Sequence, residues 1–157
     1  MRKHINQTKK ALKLLMLIVF VMGVNSCTTS KSFVSNSANL EKYNYATITN
    51  VMDYGGSATM LNIEVEIYDA LTLTRLKVIG DNEINSLSEM QKEELLLVRF
   101  SASQSDEESV VSINFTDFKT GKPIASCRGA YSMGWSREND IKVAKERAFE
   151  QMKTIFK

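Results

Sequence analysis

Histidine, proline and long apolar runs are scarce in this chain of 157 residues. The one histidine is His4, and the longest apolar stretch, residues 14–24, has about 11 residues. A helix that crosses the roughly 30 Å hydrocarbon core of a bilayer needs about 20 apolar residues, so this stretch is too short for a permanent span. Beyond His4 the chain has no imidazole, which excludes histidine triads, histidine acid–base catalysis and histidine metal sites there.

Cysteine is also scarce, with only Cys27 and Cys127. If Cys27 is modified, Cys127 has no partner within the chain, and we expect no internal disulfide. Cys127 could be a nucleophile, but no histidine is present to activate it. A small buried strand residue is the favoured interpretation.

The N-terminus has the composition of a secretory signal. Five basic residues and no acid precede the apolar stretch 14–24, and the polar residues Asn25 and Ser26 then lead to Cys27. A basic segment, a short apolar segment and a small-residue site are the three parts of a cleaved signal peptide. We therefore predict a signal peptide over residues 1–26.

The segment Val24-Asn25-Ser26-Cys27 resembles the lipobox of bacterial lipoproteins, with Asn25 where Ala, Ser or Thr is usual. The resemblance implies recognition of Val24, Asn25 and Ser26 by lipoprotein signal peptidase, cleavage before Cys27 and acylation of that cysteine, for example with palmitate. Two or more acyl chains hold a protein stably on a membrane. The alternatives are an ordinary secretory signal with an incidental cysteine, or an N-terminal membrane span.

Residues 27–39 predict a flexible acylated tether, because they are rich in Ser, Thr and Asn and contain no acid. In enterobacterial lipoproteins an Asp after the cysteine signals retention in the inner membrane, and this chain has Thr28. The N-terminus resembles lipoproteins of Bacteroidota, whose surface-exported members commonly carry an acidic cluster there, whereas the first acid here is Glu41. These rules together place the anchor in the outer membrane, facing the periplasm.

Cleavage before Cys27 changes the charge of the chain. The full sequence has 20 Lys and Arg against 18 Asp and Glu, a net charge of +2. Removing the five bases of residues 1–26 leaves 15 against 18, or −3. The mature chain lacks the concentrated basic face that nucleic-acid binding requires.

Residues 40–157 predict a single α+β domain. Strand patterns occur over 43–51, 75–80, 95–103, 110–118 and 124–133, and the last two are joined by a hairpin turn at 119–123. A short helix over 86–94 would begin with a capping box of Ser86 and Glu89. Ser136 would cap a final helix that extends to about Phe156.

Residues 58–73 are ambiguous. Leu61, Ile63, Val65 and Ile67 alternate with polar residues in strand period, yet apolar residues also recur here at helical spacing. Residues 53–57, with Gly55-Gly56, predict a turn ending at a helix-capping Ser57 rather than a phosphate cradle. The acidic run Asp106-Glu107-Glu108 lacks the spacing of a calcium loop and predicts a solvated turn.

The order of these elements resembles the small domain shared by penicillin-binding-protein activator lipoproteins, curli-secretion lipoproteins and the N-terminal domain of TolB-like proteins. The nearest local similarity is residues 114–122, with Asp117 and a Thr120-Gly121-Lys122 turn. The resemblance implies a mostly antiparallel mixed sheet with two main helices packed on it, and it favours helix for 58–73. It also implies a non-catalytic role in the cell envelope.

Three functions follow as hypotheses. The first is a binding or assembly module with an envelope protein as partner, for which Tyr131 and Trp135 are candidate contacts, although packing in the core or at its rim is the favoured interpretation for each. The second is a structural lipoprotein that oligomerises within an envelope complex. The third is a hydrolase using a carboxylate pair, either Asp81 with Glu83 or Asp117 with Asp140. No motif implies a cofactor or a metal.

Overall fold

The structure is a computed structural model that describes residues 30–48, 58–132 and 136–157. It is a mixed α+β domain with one six-stranded sheet and four helices. The strands are β1 (Lys31–Val34), β2 (Tyr45–Ile48), β3 (Lys77–Val78), β4 (Leu95–Gln104), β5 (Ser109–Asp117) and β6 (Pro123–Tyr131). The helices are α1 (Ala58–Thr72), α2 (Asp81–Ile84), α3 (Glu89–Glu93) and α4 (Arg137–Ile155), and a 3₁₀ turn spans Leu40–Lys42.

The sheet has the strand order β1-β6-β5-β4-β2-β3. The pairs from β1 to β4 are antiparallel, whereas β2 lies parallel to both β4 and β3. β1 and β3 are therefore the two edges of the sheet. The predicted fold class, a mostly antiparallel mixed sheet with two main helices packed on it, is confirmed.

The core lies between one face of the sheet and the two long helices. Alternate residues of the central strand β5 point into it, including Val111, Ile113 and Phe115, and each is fully buried. α1 contributes Ile63 and Ile67, and α4 contributes a stripe of small and flexible residues, Ala144, Ala148 and Met152. The ring of Phe156 completes this layer, 4.6 Å from the ring of Phe115.

Gly129 on β6 lets α4 approach the sheet closely. A Cβ at this position would lie 1.8 Å from the carbonyl oxygen of Ala144 and 2.7 Å from the backbone nitrogen of Ala148. Only a residue without a side chain allows the strand and the helix backbones to meet in this way.

Within the ambiguous segment 58–73, residues Ala58–Thr72 form helix α1, so the helical interpretation is confirmed and the strand interpretation is wrong. The alternation arises because apolar residues lie on two sides of the helix. Ile63 and Ile67 are buried in the core, whereas Leu61 and Val65 are 45% and 56% exposed.

The segment predicted as a tether, residues 27–39, differs in the structure. Lys31–Val34 pair with β6 as an edge strand, and Ser30 exchanges hydrogen bonds with the backbone of Ala130. The sequence signal was weak because an edge strand with one solvent-facing side can be built largely from polar residues. Residues 27–29, and with them Cys27, lie outside the described residues.

The region 75–94 also differs in detail. A short helix, α2, follows β3 and was not predicted. The capping box of the next helix is formed by Ser88 and Gln91, so the predicted box of Ser86 and Glu89 is wrong. Ser86 instead donates its hydroxyl hydrogen to the carbonyl of Glu83. The cap of α4 at Ser136 is confirmed by its hydroxyl, which accepts from the backbone N–H of Asn139.

Candidate partner-binding surface

A groove lies between α1 and the β3 edge of the sheet, with a volume of about 400 Å³. Leu61, Val65 and Tyr68 form its helix wall, and all three are large and about half exposed. Their spacing of four and three residues puts them on one side of the helix. They lie apart from the buried Ile63 and Ile67, so α1 presents a second apolar side to solvent.

The opposite wall and the floor come from the sheet and from the turn before α2. The residues are Ile48 of β2, Val78 of β3, and the sequence Ile79, Gly80 and Asp81. The short connection through Gly80 directs the chain from the edge strand into α2. A groove with apolar walls and few polar groups is the usual form of a binding site.

Two carboxylates line this groove, Glu64 on α1 and Asp81 at the start of α2. Asp81 Oδ1 accepts a hydrogen bond from the hydroxyl of Thr47 at 3.1 Å. No basic residue lines the groove among those that the structure describes. The groove therefore has apolar walls and an acidic character.

The predicted carboxylate pairs do not form in the expected way. Asp81 and Glu83 belong to one short helix, where residues two apart do not face each other, and Glu83 Oε2 accepts from the backbone N–H of Gly80. Asp117 ends β5, whereas Asp140 lies near the start of that strand, since Arg137 accepts a hydrogen bond from Gln104. The nine residues of β5 span ~26 Å, so Asp117 and Asp140 lie near opposite ends of that strand.

Asp117 instead organises a hydrogen-bond network at the β5–β6 turn. Its Oδ1 accepts from the backbone N–H and the hydroxyl of Thr120 at 2.8 and 2.9 Å. Its Oδ2 accepts from the hydroxyl of Tyr43 at 2.9 Å and from Lys42 Nζ at 3.4 Å. Burial alone would raise the pKa of Asp117, but the hydrogen bonds from Thr120, Tyr43 and Lys42 outweigh it and lower that pKa to about 2.

The pKa of Tyr43 is shifted in the opposite direction from that of Asp117. Burial, followed by the hydrogen bond to Asp117 and the charge of that carboxylate, raises the pKa of Tyr43 to about 12. The pair therefore stays as a neutral phenol donating to an ionised carboxylate. This is a structural tie between the segment before β2 and the end of β5, and its hydrogen-bonding capacity is used within the fold.

Cys127 is fully buried on β6, and burial raises its pKa to about 12. A thiol held in this form is a poor nucleophile. The prediction of a buried strand residue is confirmed.

Of the two residues predicted to contact a partner, the structure describes Tyr131 but not Trp135. Tyr131 is half-buried at the end of β6, and the guanidinium carbon of Arg147 lies 5.0 Å from its ring centroid. Arg147 also donates to the carbonyl of Ala130 at 2.7 Å. Trp135 lies outside the described residues, as do Val24, Asn25, Ser26 and Cys27 and the turn with Gly55-Gly56 and Ser57. The contact role of Tyr131 and Trp135 stays a prediction.

The acidic run 106–108 is a turn with ionic partners. Asp106 pairs with Arg137, and Glu108 pairs with Arg128 at 3.0 Å. Within residues 30–48, 58–132 and 136–157, no three potential ligands among His, Cys, Asp and Glu come together as a metal site. In the same ranges, no helix has the length and apolarity to span a bilayer.

The groove was not predicted from the sequence. The signal for it was present in the strand-like alternation over 61–67, which requires apolar residues on more than one side when the segment is helical. Without the sheet in place, nothing in the sequence distinguishes the side that enters the core from the side that forms the groove wall.

Comparison with known proteins gave two results. No protein-family model and no curated protein matches the chain. Among solved structures, a PelC variant dodecamer from Paraburkholderia phytofirmans is similar, with a TM-score of 0.48 and 14% identity over 82% of this chain and 98% of that chain. A second PelC dodecamer from the same organism has a TM-score of 0.43 and 16% identity over 78% of this chain and 94% of that chain. Likeness at this level supports no conclusion about function.

Proposed function

We propose that this protein is a lipid-anchored, non-catalytic binding or assembly module of the bacterial cell envelope. Its anchor is an acylated Cys27 in the outer membrane, and its domain faces the periplasm. The observation that carries the binding role is the groove beside α1, where a folded domain keeps Leu61, Val65 and Tyr68 about half exposed around a cavity of about 400 Å³. Contiguous apolar surface with polar residues around it is typical of an interaction site.

The anchor is supported by the lipobox-like sequence Val24-Asn25-Ser26-Cys27. Metabolic labelling with a palmitate analogue tests it. The wild type should be labelled and Cys27→Ala should not. Equal labelling of both would show that the acylation proposal is wrong.

The binding role is tested separately by crosslinking in native envelopes. A photoreactive amino acid at position 65, in the helix wall of the groove, should capture a defined protein. The same probe at position 90 is the control, because Met90 is 73% exposed on α3 and lies outside the groove lining. Equal products from both positions would remove the groove as the binding site.

A carboxylate-dependent hydrolase is a second candidate, favoured by one observation. Glu64 and Asp81 line the same groove, although the sequence predicts Asp81 with a different partner, Glu83. Incubation of the protein with peptidoglycan and glycan fragments, for the wild type and for Glu64→Gln and Asp81→Asn, tests this candidate. Hydrolysis that both substitutions abolish would favour the enzyme over the binding module.

A further inference from the structure

We infer that the groove beside α1 receives Phe33 from a second copy of this chain, with Lys31 of that copy facing the carboxylates of the groove. The inference rests on the proposed function in treating the groove as an assembly surface. It names the occupant as the chain itself. The contact joins two different surfaces, so each copy has one groove and one Phe33 to offer.

Phe33 is the most exposed large apolar residue among the described residues, at 76%. It lies on β1, the edge strand opposite β3, and its register partner is Ser126 of β6. Residues at paired positions share a face, so Phe33 points to the side of the sheet away from α1 and α4. Most of the apolar surface of the Phe33 ring therefore faces solvent.

The surroundings of Phe33 are basic. Lys31 shares its face two residues earlier on β1 and pairs in register with Arg128, and Arg99 lies in the same row as Phe33 three strands away. The outward positions of β1, β4, β5 and β6 hold these three bases and no carboxylate. Glu108 reaches Arg128 from the β4–β5 turn and offsets part of this charge.

The groove is complementary to the surface around Phe33 both in its apolar character and in the sign of its charge. It offers apolar walls of Leu61, Val65 and Tyr68, and the charged residues in its lining are Glu64 and Asp81. A volume of about 400 Å³ accommodates a phenylalanine ring with its neighbours. Opposite charges at the rim of such a contact guide the encounter and fix the register, while the buried aromatic ring supplies the affinity.

One molecule cannot make this contact with itself. Phe33 is at the β1 edge and the groove is at the β3 edge, with four strands between them. Five spacings between neighbouring strands amount to ~24 Å. The association is therefore heterologous, and repetition of the contact gives a closed ring or an open chain of copies.

A two-cysteine crosslink tests the contact in the full chain. Ser35→Cys and Asn62→Cys are introduced together, next to the contact residues Phe33 and Val65, which are both kept, and native envelopes are treated with a short bifunctional maleimide. Cys127 adds no background because it is fully buried, and an acylated Cys27 has no free thiol. The double variant should give a ladder of oligomers, whereas each single variant should stay monomeric. Ser35→Cys with Met90→Cys, which also keeps Phe33 and Val65, is the matched control and should give no ladder.

Complementation separates this contact from a symmetric one. Phe33→Asp and Val65→Asp should each abolish self-association of the purified full chain in detergent, measured by analytical ultracentrifugation. Each variant retains the surface that the other has lost, so their mixture should form dimers and nothing larger. Phe33→Ser should weaken self-association at least about tenfold, as expected for a central aromatic contact. Met90→Asp should change nothing.

A monomeric wild type at all concentrations, or crosslinked dimers from Ser35→Cys alone, would overturn the inference. Failure of palmitate labelling would overturn the anchor and leave this contact standing, because the crosslink can be repeated on the purified chain with Cys27→Ala. If the wild type is labelled with palmitate but the double-cysteine variant gives no ladder, the anchor stands and the contact is overturned. Capture of a different protein at both position 33 and position 65 would replace the second copy as occupant.

Discussion

The hydroxyl of Tyr43 donates a hydrogen bond to Asp117 Oδ2 at 2.9 Å, joining positions 74 residues apart in the sequence. Both side chains are nearly fully buried. The bond fixes the segment that leads into β2 against the end of β5. It lies at the end of the sheet away from the start of β1. The ionisation of the Asp117 carboxyl can be tested by titration.

Acid should destabilise the wild type in a defined range. The pKa of Asp117 is lowered from 3.8 in its ordinary state to about 2 in the fold, so its contribution is fully present above about pH 4 and is lost as the pH falls towards 2. A shift of this size corresponds to roughly 2 kcal/mol of unfolding free energy. Urea unfolding at several pH values should show this loss, and Asp117→Asn should flatten it. An unchanged slope in the variant would contradict the assignment.

Removing the phenol alone should have a smaller effect. Tyr43→Phe leaves the ring in place but deletes one donor to Asp117, which should lower the unfolding free energy by about 1–2 kcal/mol at pH 7. The pKa of Asp117 should rise, measured by NMR titration of its carboxyl carbon. Tyr45→Phe is the control, since Tyr45 accepts from Gln91 on the surface of α3 and does not touch Asp117. Equal losses in the two variants would argue against the buried pair.

Gly129→Ala should be severely destabilising, by about 3 kcal/mol or more, because the new methyl group would overlap the backbone of α4. Gly121→Ala provides a contrast. No atom lies within 4 Å of a Cβ there, but its φ of 70° is unfavourable for alanine, and a loss of about 1 kcal/mol is expected. Thermal unfolding compares the two. A milder effect at Gly129 would show that α4 can move away from the sheet.

Cys127 should resist thiol reagents in the native state, because the side chain is fully buried and its pKa is raised to about 12. Labelling should follow unfolding and accelerate with denaturant. Ser101→Cys, at an exposed position of β4, is the comparison and should react at once under native conditions. Similar native rates at both positions would mean that β6 opens readily.

The sequence predicts the central part of this fold because β4, β5, β6 and α4 combine period, turn chemistry and a cap that all favour one structure. Those signals are weaker for the edge strand β1 and for the short helix α2. β1 has only Phe33 and Val34 as apolar residues, and α2 is one turn long, so tertiary contacts rather than local preference decide both.

The groove could not be predicted for a similar reason. A helix with apolar residues on two sides does not reveal which side enters the core, and the acids Glu64 and Asp81 come together only through the path of β3 into α2. Asp117 was singled out as half of a catalytic pair, whereas in the fold its oxygens are used by Thr120, Tyr43 and Lys42.

The early start of β1 has a mechanical consequence. Ser30 is three residues after Cys27, a distance of at most ~11 Å along the chain, so a lipid at Cys27 would be attached almost directly to the sheet. Any pull from the membrane would act along β1, whose four residues pair with β6 in antiparallel register. A load along the strand acts on all the hydrogen bonds between β1 and β6 at once and does not open them one at a time. The domain would then move together with the membrane that holds its lipid.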